Sequence, residues 1–118
     1  MKIFISEKNE EIENKFLRFD LSENIESADS VVIVPHGGME SFFCLLKGID
    51  LGKDVYISND DNSYNNVIDR LNKMIAGGTI KLQDGKSMIV EENIDDVIER
   101  MEEKENDKSN DGKISQLL

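Results

Sequence analysis

The stretch Val31-Val32-Ile33-Val34-Pro35-His36-Gly37-Gly38 constrains this chain more than any other. Four consecutive β-branched residues suit a strand buried on both faces, the environment of a parallel sheet. Pro35 ends such a run because it brings no N–H to a ladder. Gly37 and Gly38 then allow a sharp turn and let a ligand come close to the backbone. From Met39 to Leu51, the apolar residues Met39, Phe42, Phe43, Leu45, Leu46 and Ile49 lie almost all round a helix, the pattern of a well-buried one. The unit is strand, tight turn, helix. Its helix opens with N–H groups that have no acceptor within the helix, and such a terminus attracts anions, phosphate above all. An ordinary strand-to-helix turn uses glycine for steric reasons alone, so the turn marks a place for a ligand without naming one.

The remaining pattern repeats that unit. Lys2 to Ser6 reads as a first strand, and Glu7 to Arg18 as a moderately amphipathic helix with Ile12 and Phe16 on one face. Ser6 is placed to cap that helix, with Asn9 or Glu10 answering in its first turn. Asp20 to Glu26 is polar and reads as a turn or helical stub. Asp54-Val55-Tyr56-Ile57-Ser58 is a further strand, preceded by Gly52 at a helix C′ position. Asn59 to Ser63 is a turn rich in capping residues. Tyr64 to Ala76 carries Val67, Ile68, Leu71, Met74 and Ile75 on one stripe, and Gly77-Gly78 ends it. Ser87 to Val90 is a short last strand, and Asn93 caps a helix bearing Ile94, Val97, Ile98 and Met101.

Strands alternating with helices imply an α/β fold: a small Rossmann-like, three-layer domain over 1–104, with a parallel sheet of about four strands. Helices are expected at about residues 7–18, 38–51, 63–76 and 93–103. Residues 105–118 read as a flexible polar tail. Right-handed crossovers in strictly sequential strand order would put every helix on one face. Either the strand order reverses near the first strand, or a second subunit covers the far face. Few helices for two apolar faces suggests a homodimer, with the Phe42/Phe43 helix or the first helix as the contact surface.

Charge narrows the partners. The chain holds 14 Lys and Arg against 25 Asp and Glu, a formal net charge of −11, with no Trp and no dense basic run. Nucleic acid is an improbable partner for such a surface, and anionic membranes are repelled by it. No apolar run approaches the roughly 20 residues of a membrane span. One cysteine, Cys44, allows no internal disulfide and fits a reducing cytoplasm. One histidine and one cysteine make no metal cage, so no metal and no cofactor are expected.

Spacing from Ala28 to Met101 resembles the Lonely-Guy family, also called lysine-decarboxylase-like proteins. These are Rossmann-type nucleotide 5′-monophosphate phosphoribohydrolases of the superfamily that includes the DNA-processing protein A domain. Gly37 to Cys44 fall on the family's G-G-x-G-T-x-x-E, with His36 inserted after the proline. Leu51-Gly52-Lys53-Asp54-Val55 matches L-G-K-P-V. Asn59, Asp61 and Tyr64 match N-x-D-x-x-Y, and Gly78, Ile80 and Lys81 match G-F-I-K. Three departures bear on chemistry: Glu40 stands at a motif glycine, Cys44 at the catalytic glutamate, and Asp20-Leu21 where an Arg-Lys pair holds the ribosyl phosphate. The first strand also leads into Ser6-Glu7-Lys8 instead of a glycine/serine-rich phosphate loop.

The resemblance therefore implies a degenerate nucleotide-binding domain. Pro35, His36, Gly37, Gly38, Met39, Glu40 and Ser41 would hold a phosphorylated nucleoside or ribose-phosphate, and Asp61 or Asn62 would accept hydrogen bonds from ribose hydroxyls. Two alternatives stand beside it. One is a working N-glycosidic hydrolase using Glu40 as acid or base with His36 as helper. The other is a non-catalytic protein-interaction or regulatory module.

Overall fold

A computed structural model describes residues 1–117, with side chains described for residues 1–106. The element order is β1 (Lys2–Ile5), α1 (Glu10–Lys15), β2 (Asp20–Leu21), β3 (Ser30–Ile33), α2 (Met39–Asp50), β4 (Asp54–Ser58), α3 (Asn65–Ala76), β5 (Met88–Glu91) and α4 (Ile94–Leu117), with a 3₁₀ turn at Asp60–Asn62. The five strands form one sheet in the order β2-β1-β3-β4-β5. All neighbours are parallel.

The order reverses at β1, the first of the two topologies expected. The chain steps outward from β1 to β2, crosses back to β3, and then proceeds the other way. Right-handed crossovers in opposite directions place α1 on one face and α2 and α3 on the other. α4 returns to the face of α1. There Ile12, Phe16, Phe19, Ile94, Val97 and Met101 pack on Ile3, Val32, Val34 and Tyr56. Opposite them, Leu45, Ile49, Tyr64 and Leu71 pack with Ile25 on Val31, Ile33, Val55 and Ile57. Alternate residues of β3 and β4 thus point into two separate cores, as the unbroken apolar strands required.

Two expectations need correction. The sheet has five strands instead of four, because Asp20–Leu21 pairs with Lys2 and Ile3 of β1. Two exposed residues carry no periodicity, so only the neighbouring strand makes them one. α1 is shorter than 7–18, and its cap is Asn9, whose side chain accepts from the Ile12 N–H at 3.2 Å. Ser6 is drawn inward instead. The chain's own helices pack on both sheet faces. The tail expected at 105–118 falls almost wholly on residues whose side chains lie outside the described ones. No helix among the described residues is long and apolar enough to cross a membrane.

Candidate functional site at the strand-order reversal

In an open parallel sheet, ligands bind beyond the carboxyl ends of the strands where the order reverses. That point lies between β1 and β3, and the two segments leaving it are Ser6-Glu7 and Val34 to Gly38. They are joined by a directed chain of hydrogen bonds. The Val34 N–H donates to Ser6 Oγ at 3.0 Å. Ser6 and Ser41 hydroxyls lie 2.7 Å apart, and Ser41 Oγ donates onward to Glu7 Oε2. With the Ser41 proton committed to the carboxylate, Ser6 is the donor of the hydroxyl pair. Every donor is polarised by the next, and the chain ends on an anion. Ser6 and Ser41 are buried.

Glu7 is the central finding. Its Oε2 also accepts from the Gly38 N–H at 2.9 Å. Gly38 is the N-cap of α2 and has no side chain to cap it. The carboxylate therefore stands where an anion at this helix terminus would stand, and the helix dipole favours it there. Gly37 is required by this arrangement: a Cβ on it would lie 2.5 Å from Glu7 Oε2 and 2.6 Å from Ser41 Cβ. A Cβ on Gly38 would meet nothing within 4 Å.

Tyr64 pins the turn from the α3 side. Its hydroxyl donates to the Val34 carbonyl at 2.6 Å and accepts from the Gly37 N–H at 2.7 Å. Burial pushes its phenol pKa up, against the lowering effect of the Gly37 N–H. Tyr64 is positioned by Asn59, whose side chain accepts from the Tyr64 N–H at 2.8 Å. His36 Nε2 lies 3.1 Å from Asp61 Oδ2. Both residues are exposed and both have left-handed backbone, with φ of 54° and 56°.

Two recesses flank the turn. One, of about 380 Å³, has walls that include Gly37, Gly38, Met39, Phe42, Tyr64 and Val67. The other, of about 700 Å³, lies toward β2 and is lined in part by Phe4, Leu21 and Glu40. The structure thus brings together Gly37, Gly38 and Ser41, and joins His36 to Asp61. Met39 and Glu40 are exposed, and Pro35 is half-buried. Glu40 lines the β2 side and not the recess beside Tyr64. Cys44 donates to the Ser6 carbonyl at 3.6 Å, and burial, then Glu40 and Glu7, push its thiol pKa up.

Ser6, Glu7 and Tyr64 were not among the expected site residues. A signal for the first two existed: once the order reverses at β1, whatever follows β1 must face whatever follows β3. Comparison with family models, curated proteins and solved structures gives no match for this chain.

Proposed function

We propose that this is a non-catalytic binding domain that takes a phosphorylated nucleoside or ribose-phosphate at the Gly37–Gly38 turn, its phosphate replacing the Glu7 carboxylate. The observation that carries this reading is the carboxylate itself. The Gly38 N–H and the Ser41 hydroxyl already hold an anionic oxygen at the N-terminus of a 12-residue helix. A phosphate oxygen offers the same charge and acceptor geometry to the same donors. The recess of about 380 Å³ beside the turn falls within the usual size of a ligand pocket. Its Met39, Phe42 and Val67 walls suit a sugar face or base, and the exposed His36–Asp61 pair on the neighbouring turns suits ribose hydroxyls.

Glu7 sets the terms of binding. As part of the same chain it competes at high effective concentration, so ligand affinity is reduced to the fraction of molecules in which it is out of place. Catalysis does not follow from this site. Loss of a base leaves positive charge on the ribose, which calls for a carboxylate beside the ring and cations on the phosphate. Cys44 offers a protonated thiol, Leu21 and Asp20 offer no cation, and neither Glu40 nor His36 lines the recess.

The test is thermal unfolding with ribose 5-phosphate, a panel of nucleoside monophosphates and inorganic phosphate, on the native chain and on Glu7→Ala. The expected result is saturable stabilisation that needs at least about tenfold less ligand in Glu7→Ala, because the competitor is gone. Absence of stabilisation in Glu7→Ala overturns the proposal. Multiple turnovers of base release that vanish in Glu40→Gln would replace it with the hydrolase reading.

A further inference from the structure

The sheet face carrying α2 and α3 is covered unevenly. α2 packs on β3 and β4, and β1 and β2 lie beyond it. β2 pairs only with Lys2 and Ile3, so Phe4 and Ile5 have a strand neighbour on the β3 side alone. The notch left by the short edge strand is the recess of about 700 Å³, with Phe4, Ile5 and Leu21 in its wall. It runs into a second recess of about 330 Å³ lined by Phe4, Ile25, Phe43 and Cys44, and the two share Phe4, Glu23 and Glu40. Phe43, in the wall of the second recess, is 60% exposed, and Leu21, in the wall of the first, is exposed as well. Along this groove the apolar side chains of Phe4, Ile5 and Leu21 stand beside the acids Glu13, Glu23 and Glu40.

The rim decides the occupant. Glu13, Glu23 and Glu40 border the groove, and none takes part in an ion pair among the described residues. Lys47 is neutralised by Glu26 at 2.6 Å, which leaves Lys8 as the groove's opposing cation. An anion is repelled here, so the groove is separate from the phosphate position at Gly38. A second copy of the chain, itself at −11, would set these acids against its own. We propose that the groove docks a basic peptide segment of a partner protein, with apolar side chains seated on Phe4, Leu21 and Phe43 and Lys or Arg side chains against Glu13, Glu23 and Glu40.

The test is an NMR titration of the full ¹⁵N-labelled chain with two synthetic peptides of equal length, one alternating Leu with Lys and the other Leu with Glu. The Leu–Lys peptide is expected to give saturable shifts at the amides of Phe4, Leu21, Glu23 and Phe43. These should weaken at about 0.5 M NaCl, where charges are screened within a few ångströms. Charge reversal in Glu23→Lys/Glu40→Lys should weaken binding at least about tenfold, and Phe43→Ser should weaken it with the acids intact. Both variants alter exposed residues and should fold. The proposal is overturned by no saturable shift, by equal binding of the Leu–Glu peptide, by shifts away from the groove or by indifference to both variants. Shifts at the same amides that follow protein concentration alone would assign the groove to a second copy and overturn it too.

Discussion

The Glu7 carboxylate accepts a hydrogen bond from the Gly38 N–H at 2.9 Å, so the second residue after the first strand caps the helix after the third. A helix of this length gains from an anion at its start, and here the anion arrives from 31 residues away. The cap is therefore tertiary: it exists only when β1 and β3 are paired.

Removing it should loosen α2 from its first turn. Glu7→Ala loses a charge-assisted bond to the N-cap and the partner of Ser41, and should lower stability by about 1–2 kcal/mol. Glu7→Gln keeps an acceptor without the charge and should lose less. Urea unfolding of the pair measures both, and equal losses would show that charge at this terminus contributes nothing.

Gly37 and Gly38 should respond in opposite ways. In Gly37→Ala the new methyl meets Glu7 Oε2 and the Ser41 side chain, so the carboxylate must leave its place, at a cost of about 1–3 kcal/mol. Gly38→Ala meets open space and should be tolerated within about 0.5 kcal/mol. A crowded position followed by an open one also makes Gly37 the better probe of the turn in binding studies. Identical melting temperatures for the two variants would contradict the described packing.

Ser6 and Ser41 should behave as one unit. Ser6→Ala leaves the buried Val34 N–H without its acceptor, and Ser41→Ala leaves Ser6 without an acceptor and takes a donor from Glu7. Each should cost about 1–3 kcal/mol, and the double variant should cost less than the sum by at least about 0.5 kcal/mol. Additive losses in denaturant unfolding would mean that the hydroxyls act independently.

Tyr56 gives the chain an alkaline limit. Its hydroxyl is buried with no hydrogen-bond partner among the described residues. Burial, with Asp54 adding to it, pushes the phenol from an ordinary 10 up to about 12. Between those values the unfolded chain releases the Tyr56 proton while the folded chain retains it. Stability should therefore fall as pH rises from about 10 to about 12. Tyr56→Phe should remove that part of the slope and be neutral or stabilising by up to about 1 kcal/mol at pH 7. Melting curves across the alkaline range decide it.

The parts of the fold legible in the sequence were those written in local chemistry. The Val31–Val34 run could only be a strand buried on both faces. Gly52 and Gly78 do end helices with left-handed backbone, at φ of 73° and 80°. Asn93 does cap α4, accepting from the Asp96 N–H at 2.9 Å. What stayed hidden depended on partners distant in sequence. Asp20–Leu21 is a strand only because β1 lies beside it. Ser6 has the chemistry of a helix cap, yet its hydroxyl is taken by Val34 and Ser41. Glu7 reads as one acid among many until the strand order brings it to Gly38. The Gly-Gly turn marked the place, and the group that fills it came from the other side of the reversal.

The α1 face of the sheet has a consequence for how the molecule is made. Lys15 pairs with Asp95 at 2.9 Å across 80 residues, and Arg18 with Glu102 across 84. Ile94, Val97 and Met101 complete the core around Ile3, Phe16, Val32 and Tyr56. A nascent chain that has reached Glu92 holds all five strands and one finished core, while the other core stands open to water. Long-range closure of this kind is slow compared with helix or turn formation. A chain truncated just ahead of Ile94 would keep that core open and be prone to aggregate.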